Sequence, residues 1–356
     1  MKLKPILLSA AIALGAVTLT SCTSGDTPAE TEQYAPADEE QSPAMSEDEE
    51  EPYEPIQIGT TEDGYEYGYS DESGESIIIM GYTGNETEIE IPAAIEGKPV
   101  TAIGEDAFAE NAELTAVTLP DSISRIGVCA FADCTALTSF TIPDGVTVIE
   151  PGVFGYCESL TYVYIPDTVT IIGAVAFYYC ESLTSISIPD SVTEIGNSAF
   201  VGAGLTHVEI PDSVITMGHD VFWKCNYLTS VTLSANLTKI EECTFDCCYS
   251  LTSAVIPEGV TEIGDRAFRG CWSMTSVTIP DSVVSIGYSA FIDCDSLTSV
   301  TIPRSTTYID EHAFGYKGYF LEEPYLIEDF EIYCYFDTAA EQYAYENGIA
   351  YTYIRD

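Results

Sequence analysis

The stretch SLTSISIPDSVTEIGNSAF, residues 182–200, has close copies along the chain, among them TSFTIPDGVTVIEPGVF at 138–154 and SVTIPDSVVSIGYSAF at 276–291. Ala-Phe or a close variant puts Phe at 108, 131, 154, 177, 200, 222, 245, 268, 291 and 314, always 23 residues apart except for one interval of 22 between Phe200 and Phe222. A second series keeps the same period, with Pro at 120, 143, 166, 189, 211, 257, 280 and 303 and Ser234 filling the gap. A fixed period of this length is the signature of a solenoid, in which each unit is one coil. The missing residue falls in FVGAGLT, where FYYCESLT would otherwise stand, so it shortens a turn and leaves the strands alone.

Within a unit, Leu-Thr-x-Val-x-Ile-Pro alternates apolar and polar residues as a half-buried strand does, and Pro ends the strand because it cannot donate to the ladder. Asp-Ser or Asp-Gly then supplies a turn. Val-x-x-Ile-Gly forms a second short extended piece, and the residues ending in Ala-Phe return the chain to the next coil. One unit cannot bury its own Leu, Val, Ile and Phe, but stacked units share a continuous interior. The fold class is mainly β, a right-handed solenoid of about ten 23-residue coils. With strands ~4.8 Å apart, ten coils extend roughly 45–50 Å.

The phrase MTSVTIPDSVVSIGYSAFIDCDSL at 274–297 resembles the BspA-type leucine-rich repeat, a family of bacterial surface proteins, and the resemblance covers residues 100–320. The flanks agree with it. GYEYGYSDESGESIIIMGYTGNETEIEIPAAIEGKPVTAIG at 64–104 resembles the β-hairpin leader of such arrays, and DTAAEQYAYENGIAYTYI at 337–354 resembles the helix and strand that close them. Caps are physically required, since open ends expose core and unpaired strand edges. The expected organisation is a lipoprotein signal peptide at 1–21, a lipidated Cys22 with an acidic tether to 55, an N-terminal β cap at 56–99, repeats at 100–320 and a C-terminal helix-strand cap at 321–356.

The signal rests on Lys2 and Lys4, an apolar run too short to span a bilayer, and Leu19-Thr20-Ser21-Cys22, which resembles the lipobox where Cys is acylated and the chain cut before it. Each buried CH₂ of a lipid chain contributes ~0.8 kcal/mol, so several acyl chains on Cys22 would hold the protein on a membrane, facing outward. Residues 23–55 contain twelve Asp or Glu and no Lys or Arg, a composition that cannot bury enough surface to fold. The chain carries a formal charge of −47, and the excess acid beyond the tether belongs to the folded part. Binding to DNA, RNA or an anionic membrane face is therefore disfavoured.

Seven of the twelve cysteines, Cys134, Cys157, Cys180, Cys225, Cys248, Cys271 and Cys294, fall three residues after the repeat's Phe, with Asn111 in the same place in the first coil. This spacing predicts an internal ladder of buried thiols that behave as small apolar residues. Cys129, Cys243, Cys247 and Cys334 lie off the ladder, which leaves a disulfide between Cys129 and a neighbour open. Neither CxxC nor a Cys/His cluster of zinc spacing is present. No metal and no cofactor are expected.

The outward residues of the first strands are mostly Ser and Thr, and against them Tyr162, Tyr164, His207 and Glu209 stand out within three coils, with Tyr156, Tyr178, Tyr179 and Trp223 on nearby loops. Rigid aromatic area combined with hydrogen-bonding groups is the usual make-up of a binding hot spot. Ser185 and Ser230 flank His207, so a Ser, a His and a carboxylate come near each other. A flat sheet, however, supplies no buried acid to orient the imidazole and no oxyanion hole. The expected function is a non-enzymatic surface protein that binds an extracellular protein or glycan. Adhesion is what the family resemblance implies. The alternative is a structural or assembly component of the cell envelope, with the array as a spacer.

Overall fold

The computed structural model describes residues 57–319 and 324–355. The expected signal peptide, Cys22 and the whole of the acidic tether lie outside the described residues. The chain is mainly β, with one helix among the described residues and a main core cluster running from Tyr65 to Ile349.

Two rows of short parallel strands run along the array. The first contains Ala116–Thr118, Ser139–Thr141, Tyr162–Tyr164, His207–Glu209, Ser230–Thr232, Ser253–Val255, Ser276–Thr278 and Ser299–Thr301. Its middle residue points inward and its neighbours outward, so Val163 is buried between exposed Tyr162 and Tyr164. The second row takes one dipeptide per coil, such as Ile171–Ile172, Glu194–Ile195 and Thr216–Met217. Most coils place glycine after this pair, where the coils run close, although Glu150, Glu241 and Asp310 stand there in three of them. A Cβ on Gly196 would lie 2.5 Å from the backbone nitrogen of Ala174 in the coil before.

The third side of each coil turns sharply around its Phe. Residues two before and two after the Phe take positive φ, as Val175 (52°) and Tyr179 (54°) do around Phe177. Few of these are glycine, although a left-handed residue costs about 1–2 kcal/mol. The cost is offset by what the turn delivers: ten Phe rings stacked from Phe108 to Phe314, for example Phe177 on Phe200 at 5.3 Å and 2°. Each ring before Phe314 belongs to a residue whose N–H donates to the next coil, as Phe177 N does to the Ala199 carbonyl at 2.8 Å.

Polar side chains complete the stacking. The seven cysteines Cys134 to Cys294 are buried and each donates S–H to the carbonyl of the Phe one coil earlier, as Cys157 does to Phe131 at 3.2 Å and Cys180 to Phe154 at 3.1 Å. Burial pushes these thiols up, Cys134 to about 12. Ala203 occupies the ladder position of the 22-residue coil, so there the S–H bond is missing. The repeat's Thr adds a second rung by donating its hydroxyl to the carbonyl of the Thr one coil back, as Thr161 does to Thr138 at 2.9 Å. Every described cysteine has a free thiol, Cys129 included.

Both caps continue the rows. Antiparallel strands Gln57–Thr60, Tyr65–Tyr69 and Ile77–Tyr82 cover the first end, and Ile77–Tyr82 pairs in parallel with Lys98–Ile103. At the other end Glu331–Cys334 and Ala350–Tyr353 add two rungs after Ser299–Thr301. Between them the helix Ala339–Asn347 begins at Thr338, which accepts from the Glu341 N–H, and ends at Gly348 with φ 68°. Counted along the first-strand row, the array has about twelve turns, ten of which carry a Phe of the spine.

Candidate binding face

The first-strand row presents a broad face of Ser and Thr hydroxyls. Tyr162 and Tyr164 stand on it 57% and 44% exposed, and His207 and Glu209 are exposed on the strand two coils away. The segment between them is not a strand. Ser185–Ile188 occupies the place of the first strand in its coil, but forms no rungs with Tyr162–Tyr164 or with His207–Glu209 among the described residues. The Thr rung fails at the same place. Thr161 and Thr206 each bond the coil before, whereas Thr184 makes no such bond.

The physical cause lies one turn later. With one residue deleted between Phe200 and Leu205, the chain is drawn against the preceding coil, where the Gly204 N–H reaches the Cys180 carbonyl at 3.2 Å. A Cβ on Gly204 would lie 2.0 Å from the carbonyl oxygen of Glu181. The shortened coil is thus out of step with its neighbour. The face opens into a groove of about 800 Å³ lined by Ser185, Ser187, Asp190, His207, Glu209 and Asp212 among others. No Lys or Arg lines it, so it is an acidic site with one imidazole.

His207 Nδ1 lies 2.9 Å from Ser230 Oγ. Glu209 is two residues along the same strand, and among the described residues no carboxylate hydrogen-bonds the other imidazole nitrogen. The pair is open to water on a sheet surface, and the geometry lacks an orienting acid and convergent N–H donors for an oxyanion. Among the described residues no group of three or more His, Cys, Asp or Glu is placed to hold a metal.

Tyr178, Tyr179 and Trp223 are elsewhere. They sit on the turns around the Phe spine and pack with Val175, Val201 and Tyr156 in a cluster of their own. Tyr178 is buried, 7% exposed, because its turn carries it inward against Val201, so it cannot serve as the contact residue expected of it. The structure also shows aromatics that the strand-by-strand reading passed over: Tyr227 at 66% exposure, and Trp272 stacked on Tyr249 at 4.1 Å. They lie in turns, where periodicity gives no inward or outward assignment. Phe336 and Tyr345 of the C-terminal cap are more exposed still.

A model of the BspA type leucine rich repeat region matches residues 82–205 and 193–321. The chain belongs to the BspA-type leucine-rich repeat family. Among solved structures it is similar to a leucine-rich repeat protein of T. pallidum, at 27% identity over 61% of this chain and 91% of that one, with a TM-score of 0.43. It is also similar to a leucine-rich cell surface protein of Faecalibacterium prausnitzii, at 27% identity over 73% of this chain and 95% of that one, with a TM-score of 0.31. A search of curated proteins found no match. No helix among the described residues is long and apolar enough to cross a membrane.

Proposed function

We propose that this family member is a non-enzymatic binding protein of the bacterial cell surface, held to the membrane by lipid on Cys22 and raised from it by the acidic tether. It engages an extracellular protein or glycan through the strand face around the open groove. The observation that carries this reading is a coincidence of irregularities. In an array whose face repeats Ser and Thr, the one short coil, the one coil among the described residues whose first strand does not form, and His207 with Glu209 fall together, within two coils of Tyr162 and Tyr164. A repeat presents many equivalent positions, so discrimination must come from the coils that differ.

A pull-down tests it. Residues 56–356 and the variant Tyr162→Ala, Tyr164→Ala, His207→Ala are presented to extracellular-matrix proteins, mucin and plant polysaccharides. Capture by the parent and loss by the folded variant is the expected result. Equal capture by both moves the site off this face, and capture by neither favours the envelope spacer.

A further inference from the structure

The deletion that opens the strand face also cuts a notch into the opposite part of the coil. Where other coils carry two residues between the ladder position and Leu, this one carries only Gly204. The result is a pocket of about 330 Å³ lined by Tyr179, Glu181, Gly202, Lys224, Asn226 and Tyr227.

One of its walls is rigid. Tyr179 is backed by Tyr156, stacked at 5.7 Å and 16°, and flanked by Tyr178 at 4.8 Å, so its orientation is set by the protein. Facing it is Gly202, with φ 67°. A Cβ there would stand 3.0 Å from the Tyr179 ring, so only glycine lets the backbone pack against that face of the ring. Tyr227, 66% exposed, forms the other wall. The polar groups at the rim are uncommitted: the side chains of Glu181, Lys224 and Asn226 form no hydrogen bond among the described residues, while Lys224 Nζ is held over the Trp223 ring at 4.5 Å.

We infer that this notch is a carbohydrate subsite that takes one neutral pyranose ring. A pyranose has apolar C–H faces and hydroxyl edges. The exposed Tyr227 ring supplies aromatic area for one face, and an ammonium, an amide and a carboxylate supply donors and acceptors for the edges. Neutral sugars are favoured over uronic or sialic acids because the chain's charge of −47 repels anions and Glu181 stands at the rim. The notch does not depend on the strand-face reading, since the two sites share no lining residue.

The test is saturation-transfer NMR with the chain downstream of Cys22, whose main core is one continuous cluster. The probes are the methyl glycosides of glucose, galactose, mannose and N-acetylglucosamine. Transfer to the ring C–H protons of at least one is expected. Tyr227→Ala should weaken binding about tenfold by removing one aromatic wall. Asn226→Ala should weaken it while leaving the thermal midpoint unchanged, and Tyr162→Ala with His207→Ala should leave it intact. The inference is overturned if none of the four sugars receives transfer, or if Tyr227→Ala binds as the parent does. Loss of transfer only in the strand-face variant would also overturn it and would place sugar binding on that face.

Discussion

At the scale of single residues, the ends of the Phe and Cys rows show what each position contributes. Every Phe N–H before the last finds a carbonyl in the next coil, and at Phe314 no further coil exists. The Tyr343 hydroxyl takes its place: it accepts from the Phe314 N–H and donates to the Phe314 carbonyl, both at 3.0 Å. Tyr343→Phe leaves two buried backbone groups without partners and should cost about 1–3 kcal/mol in urea unfolding. The buried thiols make a pH-dependent contribution. In the folded chain burial pushes them up, Cys129 and Cys134 to about 12, while in the unfolded chain they ionise from about pH 8.5. A raised native value means the stabilisation is complete below the unfolded value and is lost as pH rises toward the native one. Urea midpoints should therefore hold to about pH 8 and fall steeply above it. Replacing Cys134, Cys157 and Cys180 by Ala should flatten that fall, and an unchanged slope would count against the ladder as its source. The ladder itself was readable from spacing, because a residue three after every buried Phe must share the Phe's interior. The hydroxyl of Tyr343 was not, since nothing local marks which of 24 tyrosines meets the last coil.

At the scale of one coil, alternation placed Val163 and Val208 inward and Tyr162, Tyr164, His207 and Glu209 outward, where the structure has them. The same pattern in SISIP, residues 185–189, predicts a strand that does not form. Its own residues are suited to the ladder, and the cause is the shortened turn some fifteen residues downstream, which offsets the next coil. Local propensity contains no information about a neighbour's length. The notch at Gly202 escaped the sequence reading for the same reason, because a deletion appears in sequence as an interval and in structure as a missing wall. Gly204 is the residue that lets the short turn close. Gly204→Ala must push the Glu181 carbonyl away from a contact of 2.0 Å and should lower stability by about 1–3 kcal/mol by the same urea assay. Gly97→Ala, whose Cβ meets nothing within 4 Å, is a control for added bulk, although its φ of 80° carries strain of its own.

At the scale of the whole molecule, a continuous core from Tyr65 to Ile349 makes one rod of the repeats and both caps, and its charge is distributed along that rod. Exposed Asp121, Asp144, Asp167, Asp190 and Asp212 recur once per coil at the turn after Pro, roughly 5 Å apart. Like charges in a row oppose stacking and are screened by salt. The melting temperature should rise between low and physiological ionic strength, and a flat response would mean that the carboxylates are too well solvated to matter. Composition and period were enough to derive the solenoid. The binding face depends on where the periodicity fails, and the most direct measurement is hydrogen exchange read by mass spectrometry. The amides of 184–188 are compared with those of 161–165 and 229–233 in the intact array. The open ladder predicts that 184–188 exchanges much faster than the other two segments, because its amides donate to neither neighbouring coil. Equal protection in all three would mean a closed sheet with no groove at His207 and Glu209, and would contradict the account.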